Sequence, residues 1–231
     1  MKKDEIIKKI EQLKEQGNEE WNHQFYLPEN IKTRTRDINS PGYNINKWNR
    51  LRPIIKKLNP KEKTFLDIGC SDGFYSIEIA KLGAKHVIGS DLDDLRINRA
   101  KFIKEVLKIK NVNFESLDLY KIPEEETYDV VLGLGLLHRI PDLDGCLKKM
   151  CQIGRTVILE FKAYRSDRSV IVDHGGKSKS NNFNGLYKTP SVQYIKNKLN
   201  ELNFTKIEVY EDKNSHLNYP REIIVATKEK K

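Results

Sequence analysis

Apolar residues recur at Ile6, Ile7, Ile10 and Leu13 among charged positions, and Gly17 follows them. That spacing predicts a helix over 4–16 with a glycine stop. The next stretch, "WNHQFYLPENIKTRTRDINSPGY" (21–43), has no period, is rich in aromatics and holds two prolines, so it reads as irregular. A second helix, about 45–58, puts Trp48, Leu51, Ile54, Ile55 and Leu58 on one side, and Pro60 ends it. From there short apolar runs alternate with helical spacing. "TFLDIG", "HVIGSD", "VNFESLD", "DVVLGLGLL" and "TVILEF" read as strands; 73–82, 93–108 and "DLDGCLKKMCQIG" read as helices. Such alternation predicts an α/β fold, with a parallel sheet covered on both faces. The rhythm breaks over 163–188, a polar segment with Arg165, Arg168, His174 and Lys177 that reads as one long loop. Thr189 as N-cap and Pro190 at the first helical position then open a helix. "KIEVYE" and "EIIVATK" close the chain as two strands that a short connection pairs antiparallel.

Composition changes this picture little. The 231 residues suit one domain with a full core. No apolar run approaches the roughly 20 residues of a membrane span. The opening "MKKDEIIKKIEQLKEQG" has no uncharged centre, unlike a secretory signal. Cys70, Cys146 and Cys151 are too few and too irregular for a disulfide framework or a zinc site, so reduced thiols, no metal and a cytoplasmic protein are expected. The net charge of +9 is spread as lysines over most helices, which argues only weakly for a polyanionic partner.

The candidate chemistry lies in "TFLDIGCSDGFYSIEIAKLG" (64–83). In an open parallel sheet, ligands bind beyond the carboxyl ends of the strands. A dinucleotide site needs G-x-G-x-x-G there, and the matching positions read Gly69, Ser71 and Phe74. Asp67 and Asp72 argue further, because two unit charges 4 Å apart interact by about 4 kcal/mol at an effective dielectric of 20. Carboxylates in this loop repel a pyrophosphate and attract a cation. S-adenosylmethionine, a nucleoside with an ammonium, a sulfonium and no phosphate, fits this loop where a nicotinamide dinucleotide does not. Asp91 ends the next strand, where a carboxylate accepts both ribose hydroxyls, with Leu92 beside it. Asp118 follows the third strand and is placed to accept from the adenine amino group, with Leu119 against the ring.

These residues resemble the class I S-adenosylmethionine-dependent methyltransferases, from Lys63 to about Phe161 and more loosely to the end. The resemblance implies a Rossmann-like, seven-stranded, mostly parallel sheet with an antiparallel C-terminal strand pair. It implies a cofactor site of Asp67, Gly69, Ser71, Gly73, Asp91, Leu92, Asp118, Leu119 and Gly133. It also implies an N-terminal helical extension and cap over 1–60 and a methyltransferase domain over 61–231. "KWNRLRPIIKKL", "GLGLLHRIPDL", "GLYKTPS" and "YPREIIVATK" are similar, more narrowly, to the tRNA wobble-uridine carboxymethyltransferases. That family reads a carboxylated donor with a lysine, a tyrosine and an arginine. Arg221 matches the arginine, Lys32 is a looser match to the lysine, and Leu137 stands where the tyrosine would be.

Methyl transfer is an in-line displacement, and a base is needed only where the acceptor must lose a proton. His138, just past "DVVLGLGLL", is the candidate base, with Arg139 beside it. Arg139, Arg165, Arg168 and Arg221 are candidates for an anionic acceptor, and Lys32 and Tyr187 complete the expected substrate set. His174 and His216 lie in polar stretches and weigh less. The expected lid is 163–188 together with the arm 18–44, closing over the donor. The expected reaction is transfer to an oxygen or nitrogen of a small-molecule acceptor, the alternative being wobble-uridine modification in tRNA.

Overall fold

A computed structural model of the chain describes residues 1–34, 43–177, 186–212 and 220–228. In chain order the elements are α1 (Lys3–Gly17), β1 (Tyr26–Leu27), β2 (Ile31–Lys32), α2 (Tyr43–Lys57), β3 (Thr64–Ile68), α3 (Phe74–Lys81), β4 (His86–Asp91), α4 (Asp94–Val106) and β5 (Val112–Ser116). There follow β6 (Tyr128–Leu134), α5 (Leu143–Ile153), β7 (Gly154–Lys162), β8 (Ile171–Lys177), β9 (Leu186–Pro190), α6 (Val192–Glu201), β10 (Lys206–Tyr210) and β11 (Arg221–Thr227). Seven strands form one sheet in the order β10-β11-β7-β6-β3-β4-β5. β11 runs antiparallel to both β7 and β10, while β3, β4 and β5 are mutually parallel. The expected α/β class, the seven-stranded Rossmann-like sheet and the C-terminal antiparallel pair are all present.

The chain divides into two compact units, Met1–Asp118 and Leu119–Lys231. In the first, β3 carries Phe65 and Leu66 fully buried, as a strand covered on both faces requires. Parallel register sets Ile68 beside Ser90 and Asp91 beside Ser116, so the carboxyl ends of three strands lie side by side. The Cys70 N–H donates to the Ser90 carbonyl at 2.8 Å and seats the glycine loop on the end of β4. α1 buries Ile6, Ile10 and Leu13, and the 21–34 stretch buries Trp21, His23, Phe25, Leu27 and Ile31. The described part of the stretch read as irregular thus packs its aromatics on α3 and α4 and forms a short hairpin, β1 with β2.

In the second unit β6 and β7 are parallel, and β7 is buried along almost its whole length. Two sequence expectations are corrected here. The segment 163–188 is not one loop, because β8 and β9 pair antiparallel, with Val172 opposite Thr189 and Ile171 opposite Pro190. For the same reason Thr189 is not the cap of α6. The helix starts at Val192, and the Ser191 hydroxyl caps it by accepting from the Tyr194 N–H at 3.0 Å. Residues 178–185, on which part of the expected lid falls, lie outside the described residues, as does His216.

Gly73 and Gly83 both have positive φ, at 81° and 86°. A Cβ at Gly73 meets the Phe114 ring at 2.6 Å and Ala100 at 2.8 Å, whereas one at Gly83 meets only the Lys61 stem at 3.6 Å. Gly83→Ala therefore carries only the left-handed backbone cost, about 1–2 kcal/mol. Gly73→Ala adds overpacking and reaches about 2–5 kcal/mol. Urea denaturation of the two variants checks this, and equal losses would contradict it.

Candidate active site

The loop leaving β3 is built around carboxylates. Asp67, on β3, is fully buried and accepts from the Ser76 hydroxyl at 2.6 Å. Burial lifts its pKa from 3.8 to about 6, against the Ser76 hydrogen bond and the nearby Lys47 ammonium, with Asp91 adding to the rise. Gly69 takes a φ of 69° and is exposed, leaving bare backbone at the carboxyl end of the strand. Ser71, at φ 53°, donates its N–H to Asp91 Oδ2 at 2.9 Å. Its hydroxyl oxygen accepts from Arg96 Nη1 and from Asn22 Nδ2, each at 2.8 Å.

Asp72 is not turned toward a ligand. It is fully buried and accepts from the N–H groups of Asn22 at 2.5 Å and His23 at 3.0 Å, with Arg99 at 3.7 Å. Burial raises its pKa, opposed first by the His23 hydrogen bond and then by Arg99 and Arg96. Arg99 is itself fully buried, over the Trp21 ring at 5.2 Å. It donates to the carbonyls of Leu13, Glu19 and Glu20.

Asp91 ends β4 half-buried, and Leu92 next to it is 57% exposed. An exposed leucine beside a carboxylate, at the end of a strand and next to a glycine loop, has the chemistry a nucleoside needs. Asp91 offers a hydrogen-bond acceptor there, and Leu92 an apolar surface. Asp118 is half-buried two residues past β5. The loop and Asp91 thus fit S-adenosylmethionine.

In the second unit, Leu119 is buried, and Gly133 lies within β6 where Met150 takes the space a Cβ would need. His138 is buried in the turn after β6. Burial, with Arg221 and Arg139 nearby, lowers its pKa to about 3, so the imidazole is neutral. The antiparallel register puts Arg221, at the start of β11, across from Lys162 at the end of β7. Its guanidinium forks onto Glu160, Nε to Oε1 and Nη2 to Oε2, the latter at 2.8 Å. Glu160 is fully buried, and its carbonyl accepts from the Gly135 N–H at 2.7 Å. Arg139, Arg165 and Arg168 are exposed. Lys32 is exposed in β2, its ammonium 5.4 Å from the Tyr26 ring. Tyr187 belongs to β9, and its side chain, like that of His174, lies outside the described residues.

Sequence reading missed Asn22, Arg96, Arg99 and Glu160. Two signals were there: Arg99 interrupts the apolar stripe Leu95, Ile103, Val106, and Glu160 is the one carboxylate in "TVILEF".

The mostly parallel sheet, with a glycine loop between its first strand and the following helix, defines a Rossmann-like domain. The chain belongs to the methyltransferase domain family, whose model matches residues 59–212. It carries a methyltransferase domain over that span. Among curated proteins it is similar to the tRNA U34 carboxymethyltransferase of Campylobacter fetus, with 28% identity over 189 residues, 80% of this chain and 64% of that protein. It is also similar to that of Pseudoalteromonas translucida, with 30% identity over 167 residues, 71% of this chain and 50% of that protein. The chain thus spans half to just under two thirds of these relatives' length. Among solved structures, the N-terminal domain of EvdMO1 with S-adenosylhomocysteine bound superposes with a TM-score of 0.77 at 19% identity, covering 100% of this chain and 98% of that one. Magnesium protoporphyrin IX methyltransferase from Synechocystis PCC 6803 with S-adenosylmethionine bound gives 0.63 at 21%, covering 85% and 87%. Both likenesses concern the fold. Among the described residues no acidic, His and Cys group is arranged to hold a metal, and no helix is long and apolar enough to cross a membrane.

The raised pKa of Asp67 makes stability depend on pH. The folded state favours the protonated carboxyl, so its contribution is complete below about pH 3.8 and is lost as pH rises through about 6. Two pKa units correspond to about 3 kcal/mol at most. Asp67→Asn, which keeps an acceptor for Ser76, should be more stable than wild type at pH 7.5 by about 1–3 kcal/mol, and by much less at pH 4.5. Urea denaturation at the two pH values checks this, and a pH-independent difference would contradict it.

Proposed function

We propose that this domain transfers the methyl group of unmodified S-adenosylmethionine to an oxygen or nitrogen of a small-molecule acceptor. The observation that carries this reading is the fork of Arg221 on buried Glu160. An arginine free to read a carboxylate would favour a carboxylated donor. Here an anion brought to Arg221 also meets Glu160, and two like charges about 4 Å apart repel by about 4 kcal/mol at an effective dielectric of 20. Leu137 adds no hydroxyl to that region.

S-adenosylmethionine supplies a methyl carbon already activated by its sulfonium. The protein's own residues bind and align. Asp91 accepts from the ribose hydroxyls, Leu92 covers one face of the adenine, and Asp118 accepts from its amino group. Ionised Asp67 balances the ammonium, and Gly69 lets the backbone approach. His138, neutral because it is buried among cations, accepts a hydrogen bond from the acceptor hydroxyl or amine and orients its lone pair. With a pKa of about 3 it aligns the nucleophile and takes little part in deprotonating it. Arg139 and Tyr187 bind the acceptor's polar or anionic groups. Residues 1–60 act as the cap of a domain that runs from 61 to 231. A cytoplasmic setting accords with three free, buried cysteines.

A second reading, wobble-uridine modification in tRNA, is favoured by the names of the curated relatives. The two readings separate experimentally. Calorimetry should show S-adenosylhomocysteine binding that weakens at least tenfold in Asp91→Ala, with no competing NADH binding. Labelled donor incubated with a panel of small hydroxyl and amine acceptors, and with total tRNA, should mark a small molecule. Label entering tRNA, in a reaction that fades steeply with salt, would transfer the conclusion to the second reading.

A further inference from the structure

The N-terminal arm makes more contacts with the glycine loop than a cover requires. Asn22 reaches the loop twice, through its N–H to Asp72 and its side-chain amide to the Ser71 hydroxyl. Ser71 in turn gives its N–H to Asp91, so two hydrogen bonds in series run from the arm to the carboxylate at the end of β4. The second Asp91 oxygen is occupied locally, accepting from the Asp93 N–H at 3.1 Å. The arm's far side is fixed by Arg99. Its guanidinium gathers the carbonyls of Leu13, Glu19 and Glu20 and the Glu19 carboxylate, and leans toward Asp72. Arg96 ties the same segment a second time, through Glu19 at 3.4 Å and the Ser71 hydroxyl.

We infer that Asn22 is a positioning residue for the donor, setting the Asp91 carboxylate through Ser71, and that Arg99 is the anchor that holds Asn22 in place. The inference rests on the reading of Asp91 as the ribose acceptor. Ser71 has a left-handed backbone at a non-glycine position, a conformation that persists only where neighbours hold it. Two donors on its hydroxyl and an acceptor on its N–H supply that hold. Without Asn22 one of these contacts is lost, the Ser71 peptide relaxes, and Asp91 loses its fixed direction toward the ribose. Arg99 acts one step further back. Its planar fork spans several carbonyls at once, which the single point charge of a lysine does not reproduce.

The test is a double-mutant cycle on S-adenosylhomocysteine affinity, measured by calorimetry on the full chain. Asn22 is exposed, so Asn22→Ala should fold with an unchanged melting temperature. Its dissociation constant should nevertheless rise about tenfold. Asn22→Asp keeps the shape but cannot donate, and should lose as much. On an Asp91→Ala background, Asn22→Ala should change affinity by less than twofold, because the carboxylate it positions is gone. Arg99→Lys should weaken binding at least as much as Asn22→Ala. If wild type binds and Asn22→Ala stays within twofold of it, or if the cycle is additive, the inference is overturned. If wild type itself shows no binding, the failure belongs to the proposed function instead.

Discussion

Asp72 is a carboxylate with no solvent contact, and the first unit is organised around the need to compensate it. A buried charge without partners costs several kcal/mol, so whatever lies against it has to bring donors or cations. Here two backbone N–H groups of the arm and the Arg99 guanidinium do so. Each partner brings constraints of its own. The N–H groups fix Asn22 and His23, and His23 packs against Phe74 and Tyr75 on α3. Arg99 fixes the end of α1 and the start of the arm through backbone carbonyls. A segment without periodicity thereby acquires a definite place, with Trp21 fully buried beneath the arginine.

The two carboxylates of the loop consequently do different work, although they stand five residues apart. Asp72 is spent on structure. Asp67 keeps one hydroxyl partner and a pKa of about 6, so a modest change in its surroundings decides its charge near neutral pH. In the second unit the same physics gives another answer. Glu160 is equally buried, but it takes a bidentate arginine, and a neutral histidine stands in the same field. Forked arginine and buried carboxylate together form a pair of nearly cancelling charge.

The fold was legible because its signals are local. β3, β4 and β7 are apolar runs, and α1, α2 and α4 show helical spacing. The acidic residues at the ends of β3 and β4 are read directly from where those runs stop. The errors came where two local signals competed. Thr189-Pro190 and Ser191 both suit a helix start, and strand pairing with Val172 and Ile171 decided for Ser191. The hidden part of the candidate site is non-local. Asn22 meets Ser71 across 49 residues, Arg99 meets Glu19 across 80, and Arg221 meets Glu160 across 61. No periodicity encodes such pairs. A polar residue within an apolar stripe marks one partner and leaves the other unknown.

Arm and glycine loop form one cooperative element through Asp72. Hydrogen–deuterium exchange of the amides of Asn22, His23 and Cys70, followed with and without S-adenosylhomocysteine, tests it most directly. The three amides should open with the same free energy without ligand and be slowed together by it. Slowing of Cys70 alone, with Asn22 and His23 exchanging at their original rates, would contradict it.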